Sequence, residues 1–122
     1  DYKITMSVPE GLQFNKSYTL EEIKEAMTKK PSRKDYPVYT GVLKYFPDAL
    51  MELSRVSLQG NIQHHPDKPL HWDKDKSKDH LDALTRHLID AEKTDNDGIL
   101  HLAKVAWRAL AALQTKLEND ES

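Results

Sequence analysis

Groups that can hold a divalent ion recur along the chain at helical spacing: Glu52, then Asp79, Asp82 and His87, then Asp95, Asp97 and His101. Asp79 and Asp82 fall on one helical turn, and Asp97 and His101 stand one turn apart. Carboxylates from neighbouring helices can hold Mg2+ or Mn2+ and leave open positions for phosphate oxygens. The same residues can equally be solvated helix faces, with Asp79 and Asp97 favourable near helix N-termini. Arg86 can clamp a phosphate with parallel N–H donors while His87 acts as metal ligand or acid–base group. The alternative pairs Arg86 with Asp82 or Asp90 and leaves His87 satisfied between helices.

A second constellation is the run GNIQHHPDKPLHW, residues 60–72. Trp72 offers a stacking face for a base, with Asn61 or Gln63 for its edge and His64 nearby. In the other reading Trp72 plugs the core and the histidines face water. A zinc site from His64, His65 and His71 is a third option, at a spacing that matches no standard arrangement. Lys104 and Arg108 stand one turn apart and can face phosphate. Glu22 and Glu25 share the two-carboxylate spacing but sit among lysines and read as solvated. All six histidines follow residue 63, so the polar chemistry is concentrated in the C-terminal half.

These residues need helices to position them. Thr19 to Glu22 reads as a capping box opening a helix over 19–30, closed by Lys29, Lys30 and Pro31. The Pro31–Tyr45 stretch reads as a loop. Pro47 suits a first helical turn, and the helix it opens is expected to stop at Gly60-Asn61. On it Ala49, Leu53 and Val56 share one face, while Asp48, Glu52, Arg55 and Gln59 share the other. A long loop over 60–76 follows. Ser77 can cap a helix over 78–92 whose apolar stripe is Leu81, Leu84, Leu88 and Ala91. The turn Thr94–Gly98 leads into a helix over 98–118, capped by Asp95 or Asp97. Its apolar residues form two seams, one through Leu100, Ala103, Trp107, Leu110 and Leu117, the other through Ile99, Leu102, Ala106, Ala109 and Leu113. Two seams predict burial from two sides, as in a bundle centre or an oligomer interface.

The expected fold is all-α, a bundle of about four helices with an extended N-terminal arm over 1–18, and oligomeric. The arm and first helix take residues 1–37, the main domain 38–122. A chain of 122 residues with 38% apolar content supports one core. Eighteen Lys and Arg against twenty Asp and Glu give no field for strong nucleic-acid binding. The absence of cysteine excludes disulfides, thiolate metal sites and a cysteine nucleophile. No apolar run of membrane-spanning length and no secretory leader is visible, so a soluble cytoplasmic protein is expected.

The blocks YFPDALMELSRVSLQGN, QHHPDKPLHW, DHLDALTRHL and DNDGILHLAKVAWRALAALQ, over about residues 38–117, resemble the phage dATP/dGTP diphosphohydrolase family of MazG-like all-α nucleotide pyrophosphohydrolases. The resemblance implies hydrolysis of purine deoxynucleoside triphosphates to monophosphate and pyrophosphate with Mg2+ or Mn2+, by a dimer or tetramer in the host cytoplasm. It makes Glu52 a metal ligand or base, completed or oriented by Asp82 and His87. Asp97 and His101 would be the last helix's contribution to the metal, Arg86 or Lys104 would meet the phosphates, and Asn61, His64 and Trp72 would lie at the nucleotide. One departure is plain: the wider group carries ExxE and ExxD pairs, whereas here Glu52 is followed by Arg55 and the second pair is DxxD. Fewer acidic ligands leave two rivals, an inactive nucleotide-binding protein that sequesters a signal and a helical assembly module.

Overall fold

The computed structural model describes residues 17–28 and 32–120. The expected N-terminal arm lies outside them except for Ser17 and Tyr18. Among the described residues the regular elements are helices, with one isolated antiparallel bridge between Thr94 and Leu100. The fold is all-α. The chain divides into two compact units between Val42 and Leu43.

In the first unit α1 spans Leu20–Thr28. The capping box forms: the Glu22 N–H donates to Thr19 Oγ1, and the Thr19 N–H donates to Glu22 Oε1, both at 3.2 Å. The stretch expected as a loop contains a 3-10 turn at Arg33–Asp35 and a π-helical turn, Tyr39–Leu43, whose last residue belongs to the second unit. The Ser32 N–H donates to the Asp35 carboxylate at 2.8 Å, and the Gly41 N–H to the Pro37 carbonyl at 2.8 Å. These local bonds give the Pro- and Tyr-rich segment short turns without a long periodic face.

In the second unit α2 spans Pro47–His64, α3 His80–Ile89 and α4 His101–Asp120. Pro47 opens α2 as expected. The helix runs past Gly60-Asn61 because Asn61 is buried and used by the chain that follows. Its Nδ2 donates to the Lys68 carbonyl at 3.0 Å, and its Oδ1 accepts the His71 N–H at 3.4 Å. Folding the loop back onto the helix end offsets the poor helix propensity of both residues. At the start of α3, Ser77 does not cap; its hydroxyl donates to Asp79 Oδ1 at 2.8 Å.

Helices α3 and α4 form an antiparallel pair. His80 meets Arg108 at one end, and His87 meets His101 at the other. This pairing rotates the inward face of α3 from the expected stripe, with Leu84 common to both. The inward stripe is His80, Ala83, Leu84 and His87, while Leu81 is 67% exposed. On α4 the inward stripe runs through Lys104, Trp107, Arg108, Ala111 and Thr115, and both expected seams leave leucines exposed, Leu100, Leu110 and Leu117 of the first and Leu102 and Leu113 of the second. The polar residues face inward because they bond one another across the two helices. Buried apolar side chains among the described residues are Ala83, Ile99 and Ala111.

Candidate functional site

The site begins in the turn between α3 and α4. The Asp95 N–H bonds the Ile99 carbonyl at 2.8 Å, and the Gly98 N–H bonds the Asp95 carbonyl at 2.9 Å. Gly98 takes φ 82°, a backbone conformation that a side chain would strain. Ile99, 2% exposed, anchors the turn in the core. One oxygen of each aspartate serves this turn: Asp95 Oδ1 accepts the Asn96 N–H at 2.7 Å, and Asp97 Oδ1 accepts the Ile99 N–H at 3.1 Å. Neither caps α4 as expected. Both second oxygens converge on Lys104 Nζ, each at 2.7 Å.

Against this carboxylate pair stand two imidazoles. His87 Nδ1 and His101 Nδ1 are 2.9 Å apart, a hydrogen bond in which one ring must donate and the other accept. His101 Nδ1 is 3.8 Å from Asp95 Oδ2. One donor atom from each of His87, Asp95 and His101 lies within 4.8 Å of the other two. Burial lowers the His87 pKa, and the neighbouring His101 and Lys104 lower it further, which favours the neutral, ligand-competent ring. The Lys104 ammonium holds the Asp95 carboxyl below its usual value. Burial alone would raise Asp97, but the bonds from Lys104 and from the Ile99 N–H outweigh it and lower it too. Burial opposes the charge on Lys104, yet the two aspartates raise its pKa.

Beyond Lys104 opens a cavity of about 720 Å3, within the size range of small-molecule sites. Its basic lining is Lys76, Lys104 and Arg108, and its aromatic walls are Trp72 and Trp107. Trp107 Nε1 donates to Ser57 Oγ at 2.8 Å, tying α4 to α2. The Trp72 ring meets Trp107 edge-on at 5.7 Å, and Lys74 Nζ lies 5.1 Å from the Trp72 ring. Lys74 is itself paired with Glu118 at 2.6 Å. Arg108 donates to Ser77 Oγ at 2.9 Å and to His80 Nδ1 at 3.0 Å.

A guanidinium carries no acceptor, so His80 Nδ1 must be the acceptor and the ring is neutral. Burial lowers the His80 pKa, the Arg108 charge adds to this, and Asp79 opposes. The unfolded chain therefore takes up the proton at higher pH than the folded one. Stability from this group is present above the ordinary histidine pKa and is lost as pH falls below it. Denaturant midpoints are expected to fall between pH 7 and 5.5, with a shallower fall in His80→Gln. An equal slope in that variant would assign the acid sensitivity to other groups.

A family model described as dATP/dGTP diphosphohydrolase, N-terminal, matches residues 24–122. The chain belongs to that family. No curated protein and no solved structure matches it.

In this member of the dATP/dGTP diphosphohydrolase N-terminal family, the residues singled out from the sequence separate into two groups. His87, His101, Asp97 and Lys104 come together, and Asn61, His64, Trp72, His87, Asp97 and Lys104 line the cavity. Asn61 spends its amide on the loop. Glu52 lies outside the lining, with both oxygens 3.0 Å from Arg55 of its own helix. Asp82 is exposed and outside it too. Arg86 reaches back along α3 to Asp79 at 3.0 Å, instead of to Asp82 or Asp90, and with the Ser77 hydroxyl holds that carboxyl at about 2. Residues not singled out for the site include Ser57, Lys76, His80 and Trp107, and Asp95 takes the place beside the imidazoles that Asp97 was expected to hold. A polar residue on the stripe facing a neighbouring helix was the available signal for His80.

Proposed function

We propose that the chain hydrolyses purine deoxynucleoside triphosphates, dATP or dGTP, to monophosphate and pyrophosphate with a divalent ion held by His87, Asp95 and His101. The observation that carries this reading is the His87–Asp95–His101 cluster joined through Lys104 and Asp97 to a basic, tryptophan-walled cavity, in a chain of this family. The donor set would fit an ion in place of the proton that the two Nδ1 atoms share. The imidazole nitrogens at 2.9 Å are near the ~3 Å spacing of two ligands at right angles with bonds of about 2.1 Å. When bound, such an ion supplies positive charge to phosphate oxygens and acidity to a coordinated water.

The chain's own residues do the rest. Water would add at the α-phosphorus and give up a proton to solvent, the bond from that phosphorus to the α–β bridging oxygen would break, and pyrophosphate would leave. Lys76, Lys104 and Arg108 are placed to hold the phosphates and the charge that develops on them. Trp72 and Trp107 wall off the base and sugar. Glu52, Asp82 and Arg86 receive no part in this reading, since none lines the cavity or belongs to the His87–Asp95–His101 cluster. The exposed leucines of α3 and α4 suit burial against a second copy, giving an oligomer.

Two imidazoles and one carboxylate favour a transition ion over Mg2+, which prefers oxygen ligands. Turnover at equal, sub-saturating metal is expected to be at least about tenfold faster with Mn2+ than with Mg2+. The test is chromatography of the products from each ribo- and deoxyribonucleoside triphosphate with either ion. Turnover confined to dATP and dGTP, releasing pyrophosphate, supports the proposal; release of orthophosphate refutes it. A second reading, binding without turnover, is favoured by one observation: Lys104 ties up Asp95 and Asp97 and lowers both, so neither is poised as a base near neutrality. Thermal stabilisation by these nucleotides without product would select it.

A further inference from the structure

Lys104 stands where a cation would. Its Nζ lies 2.7 Å from one oxygen of Asp95 and 2.7 Å from one oxygen of Asp97, and the side chain is only 16% exposed. The Asp95 oxygen it occupies, Oδ2, is the atom that approaches His101 Nδ1 at 3.8 Å. Lysine and a divalent ion at the imidazoles therefore draw on one oxygen. Two cations on one carboxylate oxygen repel each other strongly where water is scarce. A flexible four-carbon stem lets the ammonium move, and Lys104 also lines the cavity, where Lys76 and Arg108 supply further positive charge.

Resting on the metal reading above, we propose that Lys104 is the resident counter-cation of the Asp95–Asp97 pair, that it yields Asp95 when a divalent ion is held there, and that its ammonium then serves the nucleotide's phosphates. One residue would thus preserve the carboxylates' geometry without metal and bind substrate with it. The arrangement ties metal affinity to substrate affinity: phosphate that accepts the displaced ammonium favours the ion-loaded state. A lysine that only braces the turn predicts no such exchange.

The discriminating signature is a pair of effects of opposite sign. Titrated with Mn2+ alone in a calorimeter, Lys104→Met is expected to bind the ion at least about tenfold more tightly than the wild type, because the competing charge is gone. Lys104→Arg keeps the charge and is expected to bind it about as the wild type does. With saturating Mn2+, Lys104→Met is expected to bind a dATP analogue carrying methylene between the α and β phosphorus at least about tenfold more weakly. Unchanged or weaker Mn2+ binding by Lys104→Met overturns the proposal. Tighter Mn2+ with unchanged analogue binding overturns the transfer to phosphate. His101→Ala separates this from the metal reading: if it binds Mn2+ as tightly as the wild type, the metal reading falls. If it loses the ion while Lys104→Met gains nothing, the counter-cation role alone falls. Circular dichroism checks the fold, and Lys104→Gln replaces the methionine variant if that one does not fold.

Discussion

Alanine at His101 is expected to leave the protein folded and to reduce Mn2+-supported turnover of dATP or dGTP at least about a hundredfold, since it deletes one of three donors. A backbone bond supports the fold at this position. The His101 N–H bonds the Lys93 carbonyl at 3.0 Å, and that bond survives loss of the ring. The side chain is 16% exposed, and its polar partners are His87 Nδ1 at 2.9 Å and Asp95 Oδ2 at 3.8 Å. A melting temperature close to wild type, with Mn2+ no longer raising it, would place the defect at the metal. Undiminished turnover would remove the cluster from catalysis. The companion variant is Glu52→Gln, expected to turn over at near the wild-type rate because its carboxylate lies outside the cavity and pairs with Arg55. A hundredfold loss there would return Glu52 to the role that the family resemblance implies.

Helix existence was legible because apolar spacing, Pro47 and the Thr19–Glu22 box act locally. The end of α2 was not, because the residues that extend it, Lys68 and His71, reach Asn61 only after the loop turns back. The inward face of α3 is rotated from the leucine stripe for a related reason, although Leu84 lies on both. Leucine spacing pointed to Leu81 and Leu88, but a helix that lines a polar site turns its histidines inward and leaves leucines for another surface. His80 gained its meaning only from Arg108 on α4. The cluster itself was partly legible: Asp97 and His101 share a turn, and His87 stood out beside Arg86. Which aspartate meets the imidazoles was not, since Asp95 and Asp97 are two residues apart and the Gly98 turn decides their orientation. Spacing can nominate a ligand set, but a positive-φ turn has to be seen before its members can be ordered.

Trp107 is the residue whose removal is expected to cost the second unit most. It joins α4 to α2 through the 2.8 Å bond to Ser57, meets Trp72 edge-on at 5.7 Å, and carries the Arg108 guanidinium 5.7 Å from its ring. Trp107→Ala is expected to lower unfolding stability by about 3 kcal/mol, the low end for an indole because this one is only half-buried. Trp107→Phe keeps the ring wall and loses the N–H bond, a cost of about 1 kcal/mol plus the effect of stranding Ser57. Ser57→Ala should cost about the same, and the double variant should cost less than the two singles together, because they delete one shared bond. Equilibrium denaturation of the four proteins measures this coupling. Strict additivity would mean that the bond contributes nothing to stability. The buried apolar set, Ala83, Ile99 and Ala111, is small, so this unit leans on a tryptophan and polar bonds that also wall the cavity. That sharing predicts a second effect of Trp107→Ala, weaker nucleotide binding even under conditions where the variant remains folded, because the wall that places Trp72 and Arg108 is gone.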